Sequence, residues 1–550
     1  MNLIGNINAI PFRRFRGGGG VTPFPSVPGM IARYSALGLT NEQMAENPVW
    51  KDLMGNGYDL QMKNFGWAGM SGVNGYVENF NQWFVGFDES NKTVSDSSMK
   101  LVLLESDSQR VIYDKMAHQI GYTYNFYIKV TGIEGRTLNV NAGTLGGTIM
   151  SITEDGIYSI NTTVSDSWGN NMLYLIFPPS SSSNTVTIEQ LPLYPGALVF
   201  DGVDDYGVCD NFPILTKEKG YTVVALRSII DKNIPGYLLS NSAGSNQGAF
   251  IFERTIDSLT ASFGKSSPIT VNYNNPLTYQ TTSKYNQKSI SVGELLEGGK
   301  SLVVGRNSKE GNLYANAAIW ELVFLDHDAT EEELTKIKDY FVKTYPWLFP
   351  DQAWTVVGKT NEDEDRATIA NITGNGNDLL LSNFGFAEGS GYNEEGEYAG
   401  YLVTDGVDDR VVSRSFTLNK DWTIVGNWKM LQPEANKSSG IVKQNSLFIY
   451  NHVDGLNISI NDAWNFFKLK DIRSVNAICS DGRIYLNDWT EIIDSKQQTV
   501  NESVGALVIG ILGNVYTSLA FKNLGIYNNQ ILSKDDCIKA YNYLQTLKAK

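Results

Sequence analysis

The stretch GNGYDLQMKNFG at residues 55–66 returns as GNGNDLLLSNFG at residues 374–385, an offset of 319 residues. A second phrase, DGVDDY at residues 201–206, returns as DGVDDR at residues 405–410, an offset of only 204 residues. Chance does not repeat two unusual phrases in the same order. The difference between the offsets leaves 115 additional residues in the first copy. The sequence therefore predicts a tandem duplication in which the first copy carries an inserted domain.

The aligned phrases divide the chain into four predicted parts. Residues 1–29 form an N-terminal anchor peptide with a Gly/Pro linker, and residues 30–76 together with residues 195–349 form the first duplicated unit. Residues 77–194 form the insert, and residues 350–550 form the second unit. Several hydrophobic cores are expected, because a chain of 550 residues is too long for a single one.

The composition is typical of an all-β protein with many turns. Hydrophobic residues make up 42% of the chain and charged residues 19%, with 52 Gly, 28 Tyr and 24 Phe. The formal net charge of −15 argues against nucleic acid as the main partner, because phosphate recognition requires a basic surface. No run reaches the roughly 18 apolar residues of a membrane-spanning helix, so we expect no membrane insertion.

Local patterns predict strands within the insert and one closing helix for each unit. Apolar residues of the segment YTYNFYIKVTG alternate with polar ones, which predicts a half-buried strand. Thr330 with Glu333, and Ser533 with Asp536, predict helix N-termini of the capping-box type at the end of each unit. Further strands of the insert are predicted at residues 137–142, 157–164, 172–177 and 185–191.

The N-terminal segment combines basic and aromatic residues ahead of four glycines. Its notable side chains are Phe12, Arg13, Arg14, Phe15 and Arg16. Two interpretations stay open: a loose leader, or a short docking peptide on a flexible tether whose phenylalanines are buried in a partner. The segment lacks the long apolar run of a secretory signal, so we expect no export by that route.

The repeated landmarks resemble the laminin-G-like or concanavalin-A-like lectin/glucanase superfamily. The matching elements are DLMGNGYDL and NITGNGNDL for its GNG turn, FDGVDDY and TDGVDDR for the strand that follows, and WTIVGNW for a strand that ends near a tryptophan. The resemblance implies an all-β fold with two jelly-roll sandwiches in tandem, the first interrupted by an inserted β-sandwich, each closed by a short C-terminal helix. Such sandwiches often bind glycans and sometimes hold calcium at the rim.

The insert is similar to the jelly-roll carbohydrate-binding modules of glycan-degrading enzymes. The whole chain looks like a fibre or decoration protein of a tailed bacteriophage, made in the host cytoplasm without a signal peptide. This resemblance implies a virion protein of the head or tail that is anchored to other virion proteins through its N-terminus. It further implies adhesion to host-surface glycans and a homo-oligomer, a trimer being one option. Two alternatives stay open: a glycan-degrading enzyme or accessory carbohydrate-binding protein, and a purely structural virion component without sugar binding.

Two kinds of binding residue are predicted. Asp201, Asp204 and Asp205 could offer oxygen ligands to calcium, although no cofactor is required and the DGVDD phrase is also good turn chemistry. Sugar binding requires an exposed aromatic face with a few polar groups around it. The aromatic candidates of the insert are Trp83, Tyr113, Tyr158, Trp168 and Tyr174. Trp168 leads them, because it lies in the polar segment SDSWGNN.

Catalytic patterns are not recognisable in the sequence. Glucanases of the superfamily that the units resemble carry alternating carboxylates on one strand. Here the carboxylates of NEDEDR at residues 361–366 lie in a polar segment typical of a solvated loop. The histidines at positions 118, 327 and 452 are scattered and lack a neighbouring Ser or Cys nucleophile signature. The sequence therefore predicts a protein that is not an enzyme.

Overall fold

The computed structural model shows a nearly all-β chain with antiparallel sheets and three α-helices among the residues it describes. The helices span Asn41–Glu46, Glu331–Thr344 and Lys534–Thr546. Short 3₁₀ turns span Phe80–Gln82, Glu89–Asn91 and Pro346–Leu348. The described residues are 23–549 except 106, 145–146, 214, 216–219, 241–250, 257, 263–268, 271–273, 291–300, 395–397, 432–438, 445–446, 453–454, 461–462, 468–474, 487–488, 494–501, 513–514 and 517.

Two sheets of eight strands, here called the first sheet pair, enclose one apolar cluster. One sheet runs, in spatial order, Lys288–Ser289, Lys284–Tyr285, Leu277–Thr281, Thr222–Ile229, Asn316–Leu325, Leu198–Asp201 and Gly72–Val73, and Met30–Ser35 also pairs with Asn316–Leu325. The facing sheet runs Val49–Trp50, Leu60–Lys63, Tyr206–Cys209, Leu302–Val304, Gly236–Ser240, Ile251–Ile256, Ser258–Ser262 and Ile269–Thr270.

The last sheet pair has the same strand order as the first. One sheet runs Glu491–Ile493, Arg483–Leu486, Val475–Cys479, Trp422–Met430, Leu519–Asn528, Tyr401–Val403 and Gly391–Asn393, and Gln352–Thr355 also pairs with Leu519–Asn528. The facing sheet runs Thr368–Ile369, Leu379–Ser382, Arg410–Leu418, Ser503–Ile509, Ser439–Gln444, Leu447–His452, Gly455–Ile460 and Ala463–Phe467. A separate ladder joins Ile511–Leu512 to Val515–Tyr516.

The middle sheet pair consists of two five-stranded sheets around its own core. One sheet runs Thr148–Ile152, Leu138–Ala142, Leu173–Phe177, Arg110–Asp114 and Trp83–Val85. The other runs Gly156–Thr163, Thr123–Thr131, Asn184–Gln190, Ser98–Leu103 and Lys92–Val94. The strand pattern predicted for this part of the sequence is confirmed, and the side chains of Tyr124, Phe126, Ile128 and Val130 all point into the core.

The repeated phrase GNG builds the same turn in both outer sheet pairs. Gly55 and Gly57 have φ angles of 74° and 81°, a left-handed conformation that glycine adopts without strain. The Asn56 side chain between them donates to the carbonyl of Ile31, and the Asp59 carboxylate accepts from the Asp52 amide. Asn375 and Asp378 make the corresponding bonds in the last sheet pair. The phrase therefore attaches the turn to the first strand of each pair.

The end of the repeated stretch, KNFG at residues 63–66 and SNFG at residues 382–385, contacts the DGVDD phrase. Asn64 donates to the carbonyl of Asp204 over 3.0 Å, and Asn383 donates to that of Asp408 over the same distance. The Ser71 hydroxyl accepts from the Gly66 amide and donates to Asp205. Repetition of both phrases is thus explained by one turn network that each sheet pair needs.

The closing helices begin at the predicted caps. The Thr330 hydroxyl accepts from the Glu333 amide while the Glu333 carboxylate accepts from the Thr330 amide, a complete capping box. Ser533 accepts from the Asp536 amide at the start of the last helix. Among the described residues, no helix is long and apolar enough to cross a membrane.

One sheet of the middle pair packs on the last helix. The rings of Tyr127 and Tyr541 lie 5.7 Å apart edge to face, and their hydroxyls are 3.4 Å apart. Asn542 also donates to the carbonyl of Pro192, and Ile157 belongs to the apolar cluster around this helix. The other sheet of the middle pair therefore turns its outer face away from this contact.

Candidate functional site

A row of aromatic rings crosses the outer face of the five-stranded sheet that contains Trp83–Val85. Phe84 pairs with Tyr113, which pairs in turn with Tyr174 on the next strand. Ring centroids of Phe84 and Tyr113 are 4.8 Å apart at an angle of 27°, and those of Tyr113 and Tyr174 are 5.5 Å apart at 40°. We call these three rings, with the polar groups beside them, the aromatic face.

Alternation along the strands directs these rings outward. On the strand Arg110–Asp114, Ile112 belongs to the core whereas Tyr113 points the opposite way. On the strand Leu173–Phe177, Leu175 belongs to the core and Tyr174 lies on the outer face. Phe84 is 39% exposed and Tyr113 is half-buried. Phe84 and part of Tyr113 are therefore accessible to an external ligand, whereas Tyr174, which is only 8% exposed, forms the buried end of the row.

Amide side chains extend the row beyond the rings. Asn141 pairs with Tyr174 on the next strand of the sheet, and Asn139 lies on the same face two residues earlier. The Asn170 amide donates to the Tyr174 hydroxyl over 3.1 Å. Ser151 donates to the Asn139 carbonyl oxygen over 2.8 Å. Apolar rings flanked by amides match what a pyranose offers, namely an apolar side and hydroxyl groups around it.

The structure brings two of the five aromatic candidates together and separates the others. Tyr113 and Tyr174 lie side by side on the aromatic face. Trp83 is only 4% exposed and packs on Phe80 and Phe126, because its strand alternation points it into the core. We therefore leave Trp83 out of the site.

Tyr158 and Trp168 also lie off the aromatic face. Tyr158 belongs to the opposite sheet, and its hydroxyl donates to the carbonyl of Glu154. Trp168 is half-buried against the core, with its ring parallel to that of Tyr124 at 6.2 Å. Gly143 leaves room for it, since a Cβ there would lie 2.6 Å from the Trp168 Cβ. Trp168 anchors the loop whose Asn170 reaches Tyr174.

The predicted metal ligands Asp201, Asp204 and Asp205 lie together, as do their counterparts at positions 405, 408 and 409. The Asp205 carboxylate accepts from the Ser71 hydroxyl at 3.0 Å and from the Asp201 amide at 3.1 Å. The Asp201 carboxylate accepts from the Val203 amide at 2.8 Å. These bonds are those of a tight turn, and they account for the phrase without an ion.

Burial raises the pKa of the buried carboxyl group in each of these turns. Burial, with the charge of Asp201 beside it, raises the pKa of Asp205 to about 7. Burial likewise raises the pKa of Asp409 to about 6.

The N-terminal residues Phe12, Arg13, Arg14, Phe15 and Arg16 lie outside the described residues.

Sequence reasoning missed Phe84 and a polar cluster in the same sheet pair. Phe84 stands in QWFVGF, where alternating aromatic residues do not show which ones face outward. Glu78, Asp114 and His118 lie close together although 40 residues separate the first from the last. Their spacing matches no short motif, so only the folded chain reveals the cluster.

Comparisons with known proteins give only weak structural likenesses. No family model matches the chain, and no curated protein matches it. Among solved structures, a Trypanosoma rangeli sialidase in complex with sialic acid shares 9% identity over 86% of this chain and 98% of its own, with a TM-score of 0.27. The binding domain of botulinum neurotoxin serotype D shares 10% identity over 61% of this chain and 88% of its own, with a TM-score of 0.23. These values carry no argument about a ligand.

The sequence predicts a protein that is not an enzyme, whereas the solved structures similar to this chain include sialidases, which are enzymes. The exclusion of catalysis, which rested on missing sequence patterns, is therefore wrong as a conclusion. At 9% identity and a TM-score of 0.27 the likeness assigns no activity to this chain.

Proposed function

We propose that the middle sheet pair binds glycans on its aromatic face. The observation that carries this proposal is the contiguous row of Phe84, Tyr113 and Tyr174 on an outward sheet face. Rings held at fixed spacing by strand pairing can receive the apolar sides of a sugar without reorganising. The half-buried amide of Asn139 and the exposed amide of Asn170 supply hydrogen-bonding groups beside them, whereas Asn141 is buried.

The arrangement of the chain supports a display role for this face. The opposite sheet of the middle pair is packed on the last helix through Tyr127 and Ile157. The aromatic face therefore points outward from the remainder of the protein. We propose that residues 77–194 form an inserted jelly-roll domain held between two laminin-G-like sandwiches, residues 30–76 with 195–349 and residues 350–550. The matching strand orders of the outer sheet pairs support this division.

We further propose that the protein is a virion fibre or decoration protein that adheres to host-surface glycans. This role rests on the sequence: a basic, aromatic N-terminal peptide on a glycine tether, followed by duplicated units. Binding at one face would be weak, and many copies on one particle would strengthen it. Deletion of residues 1–20 should remove the protein from particles while the purified chain stays folded. Unchanged incorporation into particles would refute the anchor.

A glycan array tests the binding proposal. The unmodified protein should bind a defined set of glycans, and Tyr113→Ala or Phe84→Ala should weaken binding about tenfold or more, the equivalent of about 1.4 kcal/mol. Tyr158→Ala is the matched control, because Tyr158 lies on the other sheet of the same pair. Trp168→Ala tests the loop contact to Tyr174 separately. Full binding by both the Tyr113 and Phe84 variants would exclude the aromatic face.

The same samples test the remaining alternatives. Release of reducing sugar from a bound glycan would show a glycan-degrading enzyme. Absence of binding on arrays and on intact host cells would favour a structural component without sugar binding. Calcium at Asp201, Asp204 and Asp205 stays a prediction, tested by calorimetric titration of the protein with calcium chloride. No heat of binding, or equal heat from the Asp204→Asn variant, would discard these ligands.

A further inference from the structure

The polar cluster of the middle sheet pair joins three separate segments. Glu78 lies in the segment that enters the pair, Asp114 ends the strand Arg110–Asp114, and His118 follows in the next loop. One donor atom from each side chain lies within 4.8 Å of the other two. The closest pair is His118 Nε2 and Asp114 Oδ2, at 2.7 Å. Glu78 and Asp114 are buried, and His118 is half-buried.

Neighbouring groups hold the three side chains in place. The Tyr122 hydroxyl donates to Glu78 Oε1 at 3.0 Å, and the Tyr124 hydroxyl donates to Asp114 Oδ2 at 2.9 Å. The Met116 amide donates to Asp114 Oδ1 at 2.8 Å. The imidazole of His118 is stacked on the Tyr122 ring, with centroids 3.7 Å apart and planes within 5°. Ligands oriented by such surrounding bonds are typical of metal centres.

The charges of the cluster leave a place for a cation. The carboxylates of Glu78 and Asp114 lie within 4.8 Å of each other in buried surroundings. Two neighbouring buried carboxylates cannot both ionise cheaply unless a proton or a cation lies between them. A divalent ion would neutralise both charges and replace the hydrogen bond between His118 and Asp114.

We propose that Glu78, Asp114 and His118 form a binding site for a divalent transition metal of the zinc type. Nitrogen and oxygen donors bind zinc at about 2.0–2.2 Å, which places the donors about 3.4 Å apart in a tetrahedron. Separations within 4.8 Å therefore require only small side-chain rotations. An imidazole with two carboxylates suits Zn²⁺, Mn²⁺ or Co²⁺ better than Ca²⁺, which prefers six to eight oxygens.

The site lies directly behind the aromatic face. Asp114 is adjacent to Tyr113 on one strand, and the two side chains point to opposite sides of the sheet. A metal bound to Asp114 would hold the end of this strand to the entering segment at Glu78 and to the loop at His118. Metal binding at this cluster does not depend on sugar binding at the aromatic face.

Equilibrium dialysis of the full chain against zinc alone tests the site. After chelator treatment, the protein should bind about one Zn²⁺ per chain, as measured by elemental analysis. His118→Ala and Glu78→Gln should each weaken binding by at least about tenfold. His327→Ala is the matched control, because His327 also contacts two carboxylates, those of Asp326 and Glu333, at 3.2 Å. Circular dichroism establishes that each variant is folded.

Cobalt distinguishes this site from the aspartate turns. Co²⁺ bound through the imidazole should give visible absorption bands that the His118→Ala protein lacks. The proposal would be overturned by no binding of Zn²⁺, Mn²⁺ or Co²⁺ up to about 1 mM, by zinc binding unchanged in both variants, or by binding of Ca²⁺ only. A loss of zinc in the His327→Ala protein as large as in the His118→Ala protein would overturn it as well.

Discussion

The first and last sheet pairs place different side chains at one interior position. Arg227 and Trp428 each follow a shift in register between their own strand and the longest strand of the sheet. Arg227 donates to both oxygens of Glu253, at 2.6 and 3.0 Å, and Tyr285 donates to the same carboxylate. Trp428 instead lies in the apolar core of the last pair. The same backbone therefore accepts a buried ion pair or an indole.

Side chains that hydrogen-bond to the backbone are, in contrast, the same in the first and last sheet pairs. Asn64 and Asn383 reach equivalent carbonyls, as do Asn56 and Asn375. A side chain bonded to another side chain can be replaced along with its partner, whereas a backbone carbonyl stays in place. The comparison indicates that the repeated phrases specify the fold and that the interior polar groups do not.

The largest expected effect comes from removing the buried ion pair between Arg227 and Glu253. Glu253→Gln should destabilise the first sheet pair by about 3–5 kcal/mol, because it leaves a buried guanidinium without its counter-charge. The double variant Arg227→Met with Glu253→Leu should regain most of that loss, since Trp428 shows that an apolar side chain fits the position. Urea unfolding measures both. A double variant as unstable as the single one would show that the ion pair is required.

The second prediction concerns pH. The raised pKa of Asp205, about 7, means that the folded state holds this proton more tightly than the unfolded state does. Stability from this group is full below the ordinary carboxyl range and is lost as the pH rises through about 7. The unfolding free energy should therefore fall between pH 5 and 7, by at most about 1.4 kcal/mol per pH unit.

The matched variants separate this effect from other titrations. Asp205→Asn should remove its part of the slope, and Asp409→Asn should remove a part centred lower, because the pKa of Asp409 is about 6. Parallel slopes for the unmodified protein and both variants would contradict the assignment. The titration of these two carboxyl groups would then contribute nothing to the comparison between the first and last sheet pairs.

The third prediction addresses the repeated asparagines. Asn64 and Asn383 have φ angles of 67° and 69°, so alanine at either position would be strained as well as unable to donate. We expect about 1–2 kcal/mol of destabilisation for each, and similar values in the two copies. Asn64→Gly removes the donor and keeps the backbone conformation, so its smaller loss measures the hydrogen bond. Clearly unequal losses in the two copies would break the equivalence.

Much of the fold could be predicted from the sequence, because its signals are local. Alternation revealed the strands of the middle pair, and capping residues such as Thr330 and Ser533 located the closing helices. The duplication was visible because turn residues bind backbone atoms and tolerate little change. The nearly all-β character is confirmed, while the boundaries of the four parts stay a prediction supported by strand order.

The sites could be predicted only in part, because they depend on contacts between distant segments. Tyr113 and Tyr174 were recognised as aromatic candidates, but nothing in the sequence shows that their strands are neighbours or that Phe84 completes the row. Trp83 and Tyr113 look alike as candidates, yet alternation sends one inward and the other outward. His118 meets Glu78 only because the entering segment passes the loop.

The smallest expected effect sharpens the comparison at the GNG turn. The side-chain amides of Asn56 and Asn375 donate exposed hydrogen bonds of 2.8 and 2.6 Å to the carbonyls of Ile31 and Asp351. Alanine at either position should cost about 0.5–1 kcal/mol, because solvent replaces the lost bond. The double variant should show the sum, since the two turns belong to separate sheet pairs. A loss above the sum in thermal unfolding would show that the turns are coupled, and that the two copies do not hold their first strands independently.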